Sequence, residues 1–242
     1  MSRLGMLTPS SNTVVEPITQ AIVAPMANVT AHYSRFKVTE ITLSDYGLSQ
    51  FNLDPFLAAA DLLADARPDV IAWNGTSAAW RGFHEDETLC ERISTQFGMP
   101  ATASMLALNW ILQQTSSTRF ALVSPYTDDV QAAILANYRT IGFECIAESH
   151  LGAHVNFEFS QVKPERIRAQ VIDVARSRPD AIIIVCTNLH AAGLVAELEA
   201  ETGIPIYDST SAVVWHALRL AAVDTQSLSS WGSLFTHPGL NA

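Results

Sequence analysis

The tripeptide Arg-Pro-Asp occurs twice, at Arg67 and at Arg178, and each time it introduces a short apolar run, Val70 to Trp73 and Ala181 to Val185. The two passages read "RPDVIAWNGTS" and "RPDAIIIVCTN", so Thr76 falls on Thr187 and Gly75 falls on Cys186. Two further pairs keep the same order along the chain. "LGMLTPSSN" from Leu4 resembles "FALVSPYTD" from Phe120, with Pro9 on Pro125. "GMPATASMLALNW" from Gly98 resembles "GIPIYDSTSAVVW" from Gly203, with Trp110 on Trp215. The separations are 116, 111 and 105 residues. A solenoid needs more and shorter repeats, so the pattern describes one unit present in two copies.

The unit is of α/β type. Strands are expected at Arg3 to Leu7, Val29 to Phe36, Val70 to Trp73, Phe120 to Ser124, Glu144 to Glu148, Ala181 to Val185 and Ile204 to Tyr207. Between them, apolar residues recur at helical spacing over Thr13 to Ala24, Pro55 to Ala66, Asp128 to Ile141, Pro164 to Arg178 and Leu189 to Thr202. Pro55 and Pro164 stand where proline suits a first helical turn. Alternation of strand and helix predicts parallel sheets covered on both faces. The expectation is two similar Rossmann-like halves, each a parallel sheet flanked by helices, related by a pseudo-two-fold with the active site between them. The first half is placed at 1–108, the second at 109–209 and a tail at 223–242. The segment 210–222 is expected to be a helix returning to the first half.

Composition removes several function classes. The chain has 242 residues, 48% of them hydrophobic and 16% charged, which describes a folded globular protein. A net charge of −10 without a basic cluster argues against nucleic acid as a partner. No apolar run approaches the length of a membrane span, and no signal peptide is recognisable. Cys90, Cys145 and Cys186 are scattered and odd in number, which predicts neither a disulfide framework nor structural zinc and fits a cytoplasmic location.

Loops that follow the carboxyl ends of parallel strands meet at the cleft between such halves. Four are visible: Thr8 to Asn12, Gly75 to Ala78, Ser124 to Asp128 and Cys186 to Leu189. They carry small hydroxyls, amides, one phenol and one thiol. Backbone N–H groups at helix starts together with neutral donors suit an anion such as a carboxylate. Each loop alone reads equally as a helix cap; four equivalent loops converging is the stronger signal.

These motifs resemble a known family. "PSSNT" near the N-terminus, then "GTS", "SPY" and "CTN" after successive strands, look like the aspartate/glutamate racemase superfamily, in the branch of arylmalonate decarboxylases and maleate cis–trans isomerases. The resemblance runs from about Leu4 to Leu220. "NGTSAAWRG" and "PYTDDV" are close to the decarboxylase pattern, which has glycine at the first cysteine position. "PSSNT" is closer to the isomerase pattern, in which the asparagine holds a substrate carboxylate. Thr187 and Asn188 stand where the decarboxylase has glycines.

The resemblance implies Cys186 as the catalytic thiol and Gly75 as the position of the missing second cysteine. It implies Pro9, Ser10, Asn12, Thr76, Ser77, Tyr126, Thr187 and Asn188 as substrate-binding residues. Racemases of the superfamily need two thiols on opposite faces of the carbon, and the isomerases use the first cysteine as nucleophile on the alkene. A single thiol suits a reaction that creates a carbanion by losing CO₂ and then needs one proton. With only Lys37 and Lys163, neither on a cleft loop, and no glycine-rich phosphate loop, no cofactor is expected. The electron sink would be the substrate's second carboxylate, as an enediolate.

The expected function is therefore decarboxylation of a small malonate-type dicarboxylic acid, with or without an aryl substituent. The alternatives are an isomerase or racemase with a displaced second acid/base, and a non-catalytic dicarboxylate-binding protein. His190 is expected on a helix one turn after Cys186, facing either the thiol or solvent. "HEDE" at His84 lacks metal-site spacing and is expected to open a solvated helix; no metal is expected. Trp73, Trp80, Trp110 and Trp215 are candidate pocket walls, with a core role favoured for the last two. Arg81 is a candidate carboxylate partner. Oligomeric state is not legible.

Overall fold

In the computed structural model, which describes residues 1–240, the chain builds two four-stranded parallel sheets flanked by helices. The first part runs β1 (Ser2–Pro9), α1 (Val15–Val23), β2 (Val29–Phe36), α2 (Asp45–Ser49), α3 (Leu53–Ala64), β3 (Val70–Trp73), α4 (Ala78–Arg81), α5 (His84–Phe97), β4 (Ala101–Ala103) and α6 (Ser104–Gln114). The second runs β5 (Arg119–Val123), α7 (Asp128–Thr140), β6 (Glu144–Ser149), α8 (Asn156–Phe159), α9 (Pro164–Ala175), β7 (Ala181–Ile184), α10 (Val195–Thr202), β8 (Ile206–Asp208) and α11 (Ser209–Leu220). Residues 241–242, the end of the expected tail, lie outside the described residues.

The strand orders are β2-β1-β3-β4 and β6-β5-β7-β8, the same topology twice. The duplication extends to single bonds. Asp69 accepts from the backbone N–H of Arg3 at 2.7 Å, and its repeat partner Asp180 accepts from that of Arg119 at 2.8 Å. Arg67 and Arg178, each before a proline that disfavours helical geometry, are both left-handed, at φ 49 and 51. The Arg-Pro-Asp signature thus marks a helix-to-strand turn whose aspartate ties the incoming strand to its neighbour. Val70–Trp73 and Ala181–Ile184 are buried throughout, as expected for strands covered on both faces. Helix α11 packs on α6, β3, β4 and α1, which belong to the first sheet and its helices.

Three details differ from the sequence reading. A strand exists at Ala101–Ala103, too short and too rich in alanine to announce itself. The helix expected from Leu189 begins only at Val195, after turns and a 3-10 segment at Ala192–Leu194. Thr187 and Asn188 bond to Asn74 and Thr13 of the first half, which holds the chain out of helical geometry there. His190 consequently lies in a turn rather than on a helix, and it is exposed, the solvent-facing one of its two expected orientations. Finally, α5 does begin at His84, but Asp86 within "HEDE" is only 2% exposed, so that face is not solvated.

Candidate active site

The four strand-end loops meet. They line one small cavity with Pro9 from the first, Gly75, Thr76 and Ser77 from the second, Tyr126 from the third and Cys186 with Thr187 from the fourth. The roof comes from elsewhere. Val38, Ile41 and Phe51 descend from the segment after β2, and Asn156 opens α8 of the second half. An isolated antiparallel bridge, Glu40 to Val155, joins these two roof segments. Flanking it, Ile41 N–H donates to His154 O at 2.8 Å and Asn156 N–H donates to Thr39 O at 3.0 Å. The cavity measures about 20 Å³, room for about one water molecule, and its lining residues are buried.

Hydrogen bonds across the halves fix the walls. Thr76 Oγ1 and the Tyr126 hydroxyl are 2.6 Å apart. Asn12 Nδ2 donates to Thr187 Oγ1 at 3.1 Å, and Thr187 Oγ1 donates to Asn74 O at 3.0 Å. Asn12 Oδ1 accepts from the N–H groups of Val14 and Val15, both at 2.9 Å, capping α1. Asn188 accepts from Thr13 N–H and donates to Asn156 O. Asn12 and Asn188 thus stand behind the wall, holding Thr187, the start of α1 and the roof. Ser10 is exposed, its hydroxyl accepting from Val38 N–H at 3.2 Å, so it supports the roof from outside.

Cys186 is 2% exposed, and burial pushes its thiol up to about 12. The backbone N–H of Asn188, 3.4 Å from Sγ, and the neighbouring Tyr126 hydroxyl oppose that rise. At neutral pH the group is a protonated thiol. Burial also raises Tyr126 well above the ordinary phenol range. Asp208 caps α11 through the N–H groups of Thr210 and Ser211, and burial pushes its carboxyl up to about 7. Cys90 is buried on α5 and Cys145 half-buried on β6; neither lines the cavity.

The space in front of Gly75 is not open. A Cβ there would stand 2.1 Å from Cζ2 and 2.6 Å from Cε2 of Trp73. The Trp73 indole is itself packed against Phe36 and Phe56, with centroids at 5.2 and 4.7 Å, and those two rings meet each other at 4.3 Å. Trp80 lines the cavity too, edge-on to Tyr126 at 5.1 Å. Trp110 and Trp215 pair with each other at 5.6 Å, away from the cavity. Arg81 donates to Phe51 O and pairs with Glu85, outside the cavity lining. The roof residues were not singled out by the sequence, because they sit in irregular segments with no repeat partner. Among the described residues no cluster of three or more acidic, histidine or cysteine side chains is placed to hold a metal ion, and no helix is long and apolar enough to cross a membrane.

Known proteins resemble this chain over nearly its whole length. Maleate isomerase of Nocardia farcinica is 28% identical over 226 residues, 90% of this chain and 89% of the relative. Arylmalonate decarboxylase of Bordetella bronchiseptica is 26% identical over 170 residues, 69% of this chain and 70% of the relative. A solved cysteine-to-serine variant of the Nocardia farcinica maleate cis–trans isomerase, carrying a covalently bound succinylcysteine intermediate, superposes with a TM-score of 0.88 at 24% identity, covering 97% of this chain and 98% of the other. These relatives are enzymes. The family model described as arylmalonate decarboxylase matches residues 4–235, and the chain belongs to the arylmalonate decarboxylase family.

Proposed function

We propose that the chain is a cofactor-independent decarboxylase of small malonate-type dicarboxylic acids that protonates an enediolate through Cys186. One observation carries this reading: the cavity is lined by one thiol, and the place of a second is filled by the Trp73 indole. A two-thiol racemization lacks its second acid/base, and an addition to an alkene from position 75 lacks its nucleophile.

The substrate's C–C bond breaks to release CO₂, and the electron pair passes into the remaining carboxylate as an enediolate. Thr76, Ser77 and Tyr126 supply donors to its oxygens, each such donor typically being worth about 3–4 kcal/mol of barrier. The neutral Cys186 thiol then gives its proton to carbon. The resulting thiolate is held by Asn188 N–H and the Tyr126 hydroxyl until water returns the proton. Of Thr76 and Tyr126, 2.6 Å apart, one hydroxyl donates to the other, and the second has its proton free for the enediolate.

A second reading, maleate isomerase-like chemistry with a displaced acid/base, is favoured by the maleate isomerase relative, which matches more of the chain than the decarboxylase relative does. Measuring CO₂ release over a series of substituted malonates, with maleate and aspartate as controls, separates the two. Release of CO₂ from a malonate without conversion of maleate or aspartate supports decarboxylation. Conversion of maleate to fumarate without CO₂ release supports the isomerase.

A further inference from the structure

Two residues of the cavity wall carry indole N–H groups that have no acceptor. Among the described residues, Nε1 of Trp73 and Nε1 of Trp80 are buried without a hydrogen-bond partner, and both residues line the candidate active site. An indole N–H only donates, and leaving it unpaired in the interior is unfavourable. The face of the Trp73 six-membered ring covers the side-chain space of Gly75, with Cζ2 at 2.1 Å and Cε2, the carbon bonded to Nε1, at 2.6 Å from the place of a Cβ. The ring's other neighbours include Phe36 and Phe56, which have no side-chain acceptor. Trp80 is held edge-on to Tyr126 and to Phe51 at 6.1 Å.

We propose that Trp73 and Trp80 form a donor-only subsite for an acceptor oxygen on the substrate's own substituent, so that the preferred acid is a small oxygen-substituted malonate; this rests on the decarboxylase reading above. The oxygen is one that the product keeps. Donors aimed at the departing carboxylate would stabilise the charge that the reaction must lose, and would favour the ground state over the transition state. Retained on a substituent, the oxygen turns the molecule in the site without opposing loss of CO₂. An indole also holds an oxygen without giving up its proton, so this wall binds while Cys186 alone protonates. Phe51 and Tyr126, packed against Trp80, crowd this wall, which favours a hydroxyl-sized group over an aryl ring.

Hydroxymalonate and methylmalonate, near-equal in size, are the probes. Calorimetry on the wild-type chain, Trp73→Phe and Trp80→Phe gives the dissociation constants. Spectra of ¹⁵N-indole-labelled wild type, assigned by the signal that each variant lacks, report the N–H groups directly. The expected result is about 3- to 10-fold tighter binding of hydroxymalonate by wild type, a reduced preference in the variants, and an indole N–H shift with hydroxymalonate that methylmalonate does not give. Equal binding of both acids by wild type, binding of neither, unmoved indole signals, or a preference kept by both variants overturns the subsite. Absence of CO₂ from both acids with the preference intact removes the decarboxylase reading and leaves the subsite standing.

Discussion

The two halves share strand order, the left-handed turn before each central strand and the aspartate that ties it down, yet they end that strand differently. At the end of β7 the chain presents Cys186, with Ser209 Oγ accepting from its backbone N–H at 3.2 Å and Asn188 N–H on its sulfur. At the end of β3 it presents Gly75 and fills the space with the ring of Trp73, where the repeat has Ile184. The helix starts differ as well. Asp208 caps α11 with its carboxylate, whereas its repeat counterpart Ala103 leaves α6 without a side-chain cap. A duplicated scaffold therefore presents equivalent strand ends from both halves, and a few residues there decide which half carries a thiol in the cavity.

Removing the thiol strikes the asymmetry hardest. Cys186→Ala should lower turnover by about 10²–10⁴-fold, the share of a general acid, with little change in melting temperature. A stable variant with near-native turnover would remove Cys186 from the mechanism. Next come the donors shared across the halves. Thr76→Ala and Tyr126→Phe should each reduce kcat by roughly 10²–10³-fold with a smaller change in KM, because their bonds are realised in the transition state. A pure KM effect would favour simple carboxylate binding over catalysis.

Restoring the symmetry is a sharper test. Gly75→Cys alone should give poor activity, because Cβ meets Trp73 at 2.1 Å and the ring is backed by the Phe36–Phe56 pair. Adding Trp73→Val opens that face. The triple variant Gly75→Cys, Trp73→Val, Cys186→Ala should then protonate from the opposite side and form the mirror-image acid. Chiral chromatography reads this directly, and an active triple variant that still makes the original enantiomer would show that the thiols are not the facial donors.

The smallest effect concerns the cap present in only one half. The folded-state pKa of Asp208, about 7, lies above its ordinary value of 3.8, so the protonated carboxyl is the form that folding favours. That contribution is complete below pH 4 and is lost as pH rises through 7. Asp208→Asn keeps an acceptor for Thr210 and Ser211 without the charge. It should melt a few degrees above wild type at pH 8, with the gap narrowing below pH 7. A constant gap across that range would mean that Asp208 does not titrate there.

Gly75, Thr76, Ser77, Tyr126, Cys186 and Thr187 were legible in the sequence, because strand ends in a repeated α/β unit converge whatever the side chains are. Two aspects were not. Val38, Ile41, Phe51 and Asn156 reach the cavity through irregular segments whose course depends on a bridge between residues more than a hundred positions apart. Nor does a strand pattern reveal that the ring of Trp73 folds over Gly75, since that depends on Phe36 and Phe56 packing behind it. The delayed start of α10 has the same origin: helical spacing from Leu189 competes with bonds from Thr187 and Asn188 to the other half, and the long-range bonds prevail.

The Glu40–Val155 bridge sets a condition on the decarboxylase reading. A malonate-type acid is far larger than a space of 20 Å³, so on that reading the cavity must widen to admit it, and the roof is joined across the halves by this one isolated bridge and its flanking bonds. Parting it breaks the backbone bonds of Ile41 and Asn156 but none of those holding Thr76, Tyr126 and Cys186. The site can thus open without losing its arrangement. An acid that enters beneath this roof turns over no faster than the short antiparallel contact unzips, however fast its carbon is protonated.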